Sequence, residues 1–158
     1  MLAAAAAPCQ PAGMKPTTFI DQKASCDCGA VTLHAQGRVV SMFQCGCRNC
    51  QKVSGSGHSS VVLLPADAIV VTGATKSFVR PAESGASFTR RFCPECGTTI
   101  YAQSSRAPAF RIVLAGLFAG ESDWYAPTQL IFSRHHPDWD LIDAQLPRYQ
   151  TYRPEKQA

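Results

Sequence analysis

Apolar residues come in short runs along this chain, alternating with polar positions or clustering, and each run stops at Gly, Pro or Ser. The β-branched and aromatic content of these runs predicts strands over 17–25, 30–37, 58–65, 68–73, 76–80, 87–92, 98–103 and 110–116. One short helix is expected to begin near Asn49, where "NCQKVSG" carries a capping residue and ends at glycine. The closing stretch "QLIFSRHHPDWDLIDAQLPRYQTY" reads as one more strand followed by an irregular, aromatic-anchored wrap. The pattern as a whole predicts a mainly β protein: a single β-rich domain of antiparallel sheets.

Composition narrows this further. At 158 residues, with 46% hydrophobic and 16% charged positions, the chain suits one compact domain. The expected boundaries are an alanine-rich extension over 1–16, the domain over 17–152 and a short tail over 153–158. The extension lacks a charged lead-in and makes a poor signal peptide, with Met14 an alternative start and a lipid-modified Cys9 a remote reading. The longest apolar runs, "SSVVLLPADAIVV" and "FRIVLAGLFAG", are broken by Pro, Asp or Gly and fall short of a membrane span. The net charge of +4 is scattered, Arg90-Arg91 being the one adjacent pair of basic residues, so neither a nucleic-acid nor a membrane partner is expected. The oligomeric state is left open.

Eight cysteines without an export signal point to metal or redox chemistry in a reducing, cytoplasmic setting rather than to a disulfide framework. Setting Cys9 aside leaves seven, which divide into four and three. Cys26 and Cys28 stand two apart, so on an extended segment they face the same side. Cys93 and Cys96 form a CxxC turn in which Pro94 sets the bend and Gly97 can take a positive φ. These two pairs supply the four thiolates of a closed structural zinc site. Cys45, Cys47 and Cys50 supply three more, and three protein ligands leave a position for water or substrate. A thiol arriving there would become a nucleophilic thiolate at neutral pH. Another partition pairs Cys47/Cys50 with Cys93/Cys96 as a zinc ribbon, although their separation is far longer than a ribbon's usual ~15–20 residues.

Other polar residues carry weaker signals. His58 follows the Ser-Gly-Ser turn and is a candidate fourth ligand or acid/base group. Backbone amides around Ser54 and Gly55 could receive a substrate carboxylate, against the plain reading of an ordinary turn. His34 reads as a surface strand residue, His135-His136 as an exposed turn, and Trp124 and Trp139 as core anchors.

The segments "CDCGAV", "CGCRNCQKVSGS", "RRFCPECGTTIY" and "HHPDWDLIDAQLPRY" together make the chain resemble the glutathione-dependent formaldehyde-activating enzyme family, which also includes centromere protein V. The likeness runs from about Cys26 to Tyr149 and keeps all seven cysteines in order and spacing. It implies a β-rich domain with two zinc ions per chain, whose fold is shared with a Rab-binding nucleotide release factor. It also implies structural zinc on Cys26, Cys28, Cys93 and Cys96, and a second zinc near substrate on Cys45, Cys47 and Cys50. The implied activity joins glutathione to formaldehyde as S-hydroxymethylglutathione, and is classed as a carbon–sulfur lyase for the reverse direction. Two positions depart from the family's pattern. Gly46 stands where a His is common, and "AGLFAGESDW" lacks a Thr-Leu-Asp-Asp stretch. The rival readings are a non-enzymatic interaction module with two structural zincs, and a redox sensor built on the trio.

Overall fold

The computed structural model describes residues 18–154. The expected extension over 1–16, with Cys9 and Met14, lies outside the described residues, as do residues 155–158 of the expected tail. Among the described residues, eleven strands and one α-helix, besides short 3-10 turns, follow in the order β1 (Phe19–Ser25), β2 (Thr32–Arg38), β3 (Ser41–Cys45), α1 (Arg48–Ser54), β4 (Ser59–Pro65), β5 (Ile69–Thr72), β6 (Lys76–Pro81), β7 (Ser87–Phe92), β8 (Thr99–Ser104), β9 (Phe110–Leu114), β10 (Leu130–Ile131) and β11 (Arg148–Tyr149).

All eight predicted runs form strands. β3 was not foreseen: its stretch "SMFQC" buries only Met42 and Cys45, so its apolar signal is thin. Its place is nevertheless central, between β10 and β4 in the larger sheet. Helix α1 begins one residue earlier than expected and is capped by Cys47, not Asn49, because the Cys47 sulfur accepts from the Cys50 N–H. Gly55 ends the helix at φ 68, the left-handed geometry that glycine adopts without steric cost.

The strands form a three-stranded sheet, β1-β2-β5, and an eight-stranded sheet, β11-β10-β3-β4-β9-β8-β7-β6. Pairing is antiparallel except at β10, which runs parallel to both β3 and β11. The larger sheet is therefore mixed rather than purely antiparallel. Long connections on either side of β10 make this possible, since a parallel neighbour cannot be reached through a tight hairpin.

Successive residues of a strand face opposite sides, and β4 uses both. Val62 and Leu64 enter the main core with Ile20, Leu33 and Ala35 of the small sheet and Ile100 and Val113 of the large one. Val61 points the other way, into a second cluster with Cys45, Ile131 and Phe132. Fully burying each such Val, Leu or Ile contributes roughly 1.5–3 kcal/mol. This two-sided burial separates the cysteines: Cys26 and Cys93 belong to the main core, and Cys45 to the cluster on the opposite face. Among the described residues no helix is long and apolar enough to cross a membrane.

Candidate metal centres

The structure brings Cys26, Cys28, Cys93 and Cys96 together, with all four sulfurs within 4.8 Å of one another. Cys26 and Cys28 do not lie on an extended segment; they occupy a turn that follows β1, which corrects the same-face argument. Convergence comes instead from two knuckles of matching geometry. Gly29 N–H donates to Cys26 O and Gly97 N–H donates to Cys93 O, both at 3.0 Å, and both glycines sit at φ 77. The Cys26 and Cys93 amides in turn donate to Val31 O and Thr98 O at 2.8 and 2.9 Å. A side chain at either glycine would strain this left-handed turn.

Sulfur separations of 3.6 Å for Cys26–Cys28 and 3.7 Å for Cys28–Cys93 fit a tetrahedral ion well. Zn–S bonds near 2.3 Å require S···S edges of about 3.8 Å. The Thr98 hydroxyl lies 3.2 Å from the Cys96 sulfur and accepts the Asp27 N–H at 3.2 Å, joining one knuckle to the other. That hydroxyl is the main reason the Cys96 thiol is held down at about 5. Because β1 belongs to the small sheet and β7 to the large one, a metal here would staple two sheets that share no ladder.

Cys45, Cys47 and Cys50 form a second group on the opposite face, again with sulfurs within 4.8 Å of one another. Two elements position them: Cys45 ends β3, Cys47 caps α1, and Cys50 lies in the first turn of α1. The neighbouring backbone is tied down. Gly46 N–H donates to Ile131 O at 2.9 Å, and the Ser59 hydroxyl donates to Cys50 O at 2.9 Å. The thiols press on each other electrostatically. Hydrogen bonds from Cys45 and Cys50 hold Cys47 well below the usual thiol range, while Cys47 and Cys50 push Cys45 far above it. Three sulfurs this close ionise together only with a cation among them, so the donor set suits zinc. Among the described residues no fourth Cys, His, Asp or Glu joins the group. This partition replaces the zinc-ribbon alternative, because Cys47 and Cys50 group with Cys45 and not with Cys93 and Cys96.

His58 is not a fourth member of the trio. Its Nδ1 lies 2.5 Å from Asp140 Oδ2, and His136 Nε2 lies 2.9 Å from the same oxygen. His136 therefore does not stand on an exposed turn: its side chain is 6% exposed, against 12% for Asp140. Burial alone would raise the Asp140 carboxyl, but the bonds from His58 and His136 outweigh it and hold the group below its ordinary range. Asp140 escaped the sequence reading, although the His136-Pro-Asp-Trp-Asp140 spacing and the Gly57-His58 pair are the signals that could have found it. A side chain at Gly46 would meet Phe132 O at 3.0 Å and His136 Cβ at 3.1 Å, so His136 fills the space that a residue between Cys45 and Cys47 would need.

The remaining expectations divide. Gly55 N–H is used by Gln51 O, and Ser56 N–H by the Ser54 hydroxyl, so this stretch is an ordinary helix end rather than a free amide cradle. His34 pairs with Asp21 at the surface, 2.6 Å apart, and Trp124 packs edge-on against Phe118 at 5.5 Å, both as expected. Trp139 does not anchor the core: it is 69% exposed, because His136 and Asp140 on either side of it turn inward in its place.

Two cavities adjoin α1 and share Val53, Ser59, Thr99 and Leu114. The larger, about 750 Å³, is lined by Ser54, Ser56 and His58 and reaches Cys96 and Thr98. The smaller, about 410 Å³, runs from Cys50 past Lys52, Arg80 and Arg90 to Phe78 and Phe88, with no acidic residue in its lining. Arg80 stacks over Phe88 at 4.6 Å, and Arg90 Nε is buried there without a hydrogen-bond partner.

Residues 21–135 match the model of a family described as glutathione-dependent formaldehyde-activating enzyme. A protein of Penicillium rubens, provisionally described as such an enzyme, is 31% identical over 96 residues, an alignment spanning 60% of this chain and 50% of that protein. The chain thus spans about half the length of the curated relative it matches. A crystal structure of a Rhodobacter sphaeroides protein superposes with a TM-score of 0.49 at 19% identity, covering 63% of this chain and 89% of that one.

Proposed function

Since the chain belongs to the glutathione-dependent formaldehyde-activating enzyme family, we propose that it binds two zinc ions and joins glutathione to formaldehyde, giving S-hydroxymethylglutathione. In the reverse direction this is a carbon–sulfur lyase, and its role would be aldehyde detoxification in a reducing cytoplasm. The observation that carries the reading is the trio Cys45, Cys47 and Cys50, which offers three ligands and opens through Cys50 onto a cationic groove.

Cys26, Cys28, Cys93 and Cys96 would hold a closed structural ion, and the trio would hold the second. An ion on the trio would supply the charge that lowers the pKa of an incoming thiol. Lys52, Arg80 and Arg90 would hold the carboxylates of glutathione, orienting its cysteine toward Cys50. In the reaction a sulfur lone pair forms the S–C bond at the carbonyl carbon, and the π electrons of C=O move to oxygen. The thiol gives its proton to water, and the new alkoxide oxygen takes one back from water in the adjoining cavity, which His58 lines, so the protons balance.

Native mass spectrometry of the reduced protein, with and without glutathione and with Cys50→Ser as control, tests this directly. The two cysteine groups are expected to hold one zinc each, with glutathione binding or displacing the trio's ion, and that ion absent from the variant. Exchange NMR on formaldehyde and glutathione should show turnover above the spontaneous rate. Cysteine-bound zinc indifferent to glutathione, with no added turnover, would leave the interaction-module reading in its place.

A further inference from the structure

His58 meets His136 and Asp140 of a single turn, Asp140 lying 82 residues further along the chain, and the ligand atoms of the three lie within 4.8 Å of one another. The geometry points to a third divalent-metal site in this cluster, of the two-histidine, one-carboxylate kind and suited to zinc or a neighbouring first-row ion.

The donor set differs from the all-sulfur groups and is complete without borrowing from either. For metal–ligand bonds near 2.1 Å, ligand atoms stand about 3 Å apart where the bonds meet at right angles, as in an octahedral ion, and about 3.4 Å apart in zinc's tetrahedron. His136 Nε2 and Asp140 Oδ2 are already 2.9 Å apart, and His58 Nδ1 at 2.5 Å from the same oxygen needs a small opening. The side chains are 15%, 6% and 12% exposed for His58, His136 and Asp140, which shields the bonds while leaving a solvent path beside His58.

The surrounding chain makes room for this convergence. A Cβ on Gly57 would lie 2.3 Å from both Cβ and Oδ2 of Asp140, so the carboxylate reaches the histidines only because residue 57 has no side chain. Gly46 does the same for His136. Two glycines thus clear space for two of the three ligands, and one of them lies inside the trio. The Gln51 side-chain amide donates to Gly46 O at 2.8 Å and to His135 O at 2.7 Å, holding the trio loop and the ligand-bearing turn together.

The test counts zinc per chain by native mass spectrometry in the wild type, Asp140→Asn and His136→Gln. One ion more in the wild type than in each variant is expected. Cobalt(II) substitution supplies the second readout. Thiolate-to-cobalt bands from the cysteine sites should be unchanged in both variants, showing that they are folded, while the weaker band of a nitrogen- and oxygen-ligated cobalt disappears. In the wild type, that band should grow with a cobalt equivalent that adds no thiolate absorption. An equal zinc count in all three proteins, or a wild type whose cobalt spectrum is accounted for by thiolate sites alone, overturns the proposal and leaves a hydrogen-bonded triad.

Discussion

The side-chain amide of Gln51 donates to the carbonyl of His135 at 2.7 Å, although 84 residues separate the two. The same amide donates to Gly46 O, so one side chain in α1 clamps the loop that carries the cysteine trio to the turn that carries His136.

Gln51→Leu removes both bonds and leaves two carbonyls unpaired in a part-buried place. An unsatisfied group of this kind costs about 1–3 kcal/mol. Urea unfolding should therefore show a loss of that order, and competition with a zinc-binding dye should show weaker retention of the trio's ion. Unchanged retention would mean that the clamp does not position the loop.

The two cysteine sites should respond differently to damage. Cys96→Ser strikes a cluster that joins two sheets and reaches the main core through Cys26 and Cys93, so its loss should abolish cooperative unfolding or lower Tm steeply. Cys50→Ser strikes a half-buried ligand on the opposite face and should leave a cooperative transition while removing one zinc. Differential scanning calorimetry with metal analysis separates the two outcomes.

Arg90→Met keeps an unbranched aliphatic stem but removes the guanidinium that lies over Phe78 and Phe92 beside the groove. Losing a charge-assisted hydrogen bond costs about 1.5–3 kcal/mol, or roughly a 10- to 150-fold rise in KM for glutathione. A thiol without a carboxylate, such as cysteamine, should be unaffected. Equal effects on both thiols would remove Arg90 from the carboxylate site.

Asp140 is held below its ordinary value in the folded protein, so its contribution is present above the unfolded pKa, near 3.8, and lost as pH falls through the folded one. The stability gap between wild type and Asp140→Asn should accordingly be full at neutral pH and shrink in strongly acidic solution. The cysteine sites are common to both proteins and drop out of the comparison, while any ion held by Asp140 is released on protonation and shrinks the gap in the same direction. Urea titrations at a series of pH values measure the gap, and one that grew toward low pH would reverse this assignment.

The mainly β character, the short helix ending at Gly55, and the knuckle turn at Cys93–Gly97 were all legible in the sequence, because each depends on neighbours within a few residues. Alternation over a strand, a glycine at a left-handed helix end and a CxxC turn are local patterns, and local patterns survive without knowledge of the fold. β3 was missed for the same reason, since two buried residues in five make too weak an alternation and its neighbours in the sheet supply the rest. What only the tertiary structure decided is which distant pieces meet. Cys28 and Cys93 are 65 residues apart and His58 and Asp140 are 82 apart. Their meeting depends on strand order, on the side of the sheet each residue faces, and on the parallel placement of β10. The sequence alone accounts for seven cysteines grouped as four and three; the fold set them on opposite faces of one sheet and brought His58, His136 and Asp140 together against the second group, because long-range packing chooses among the many arrangements that the same local patterns allow.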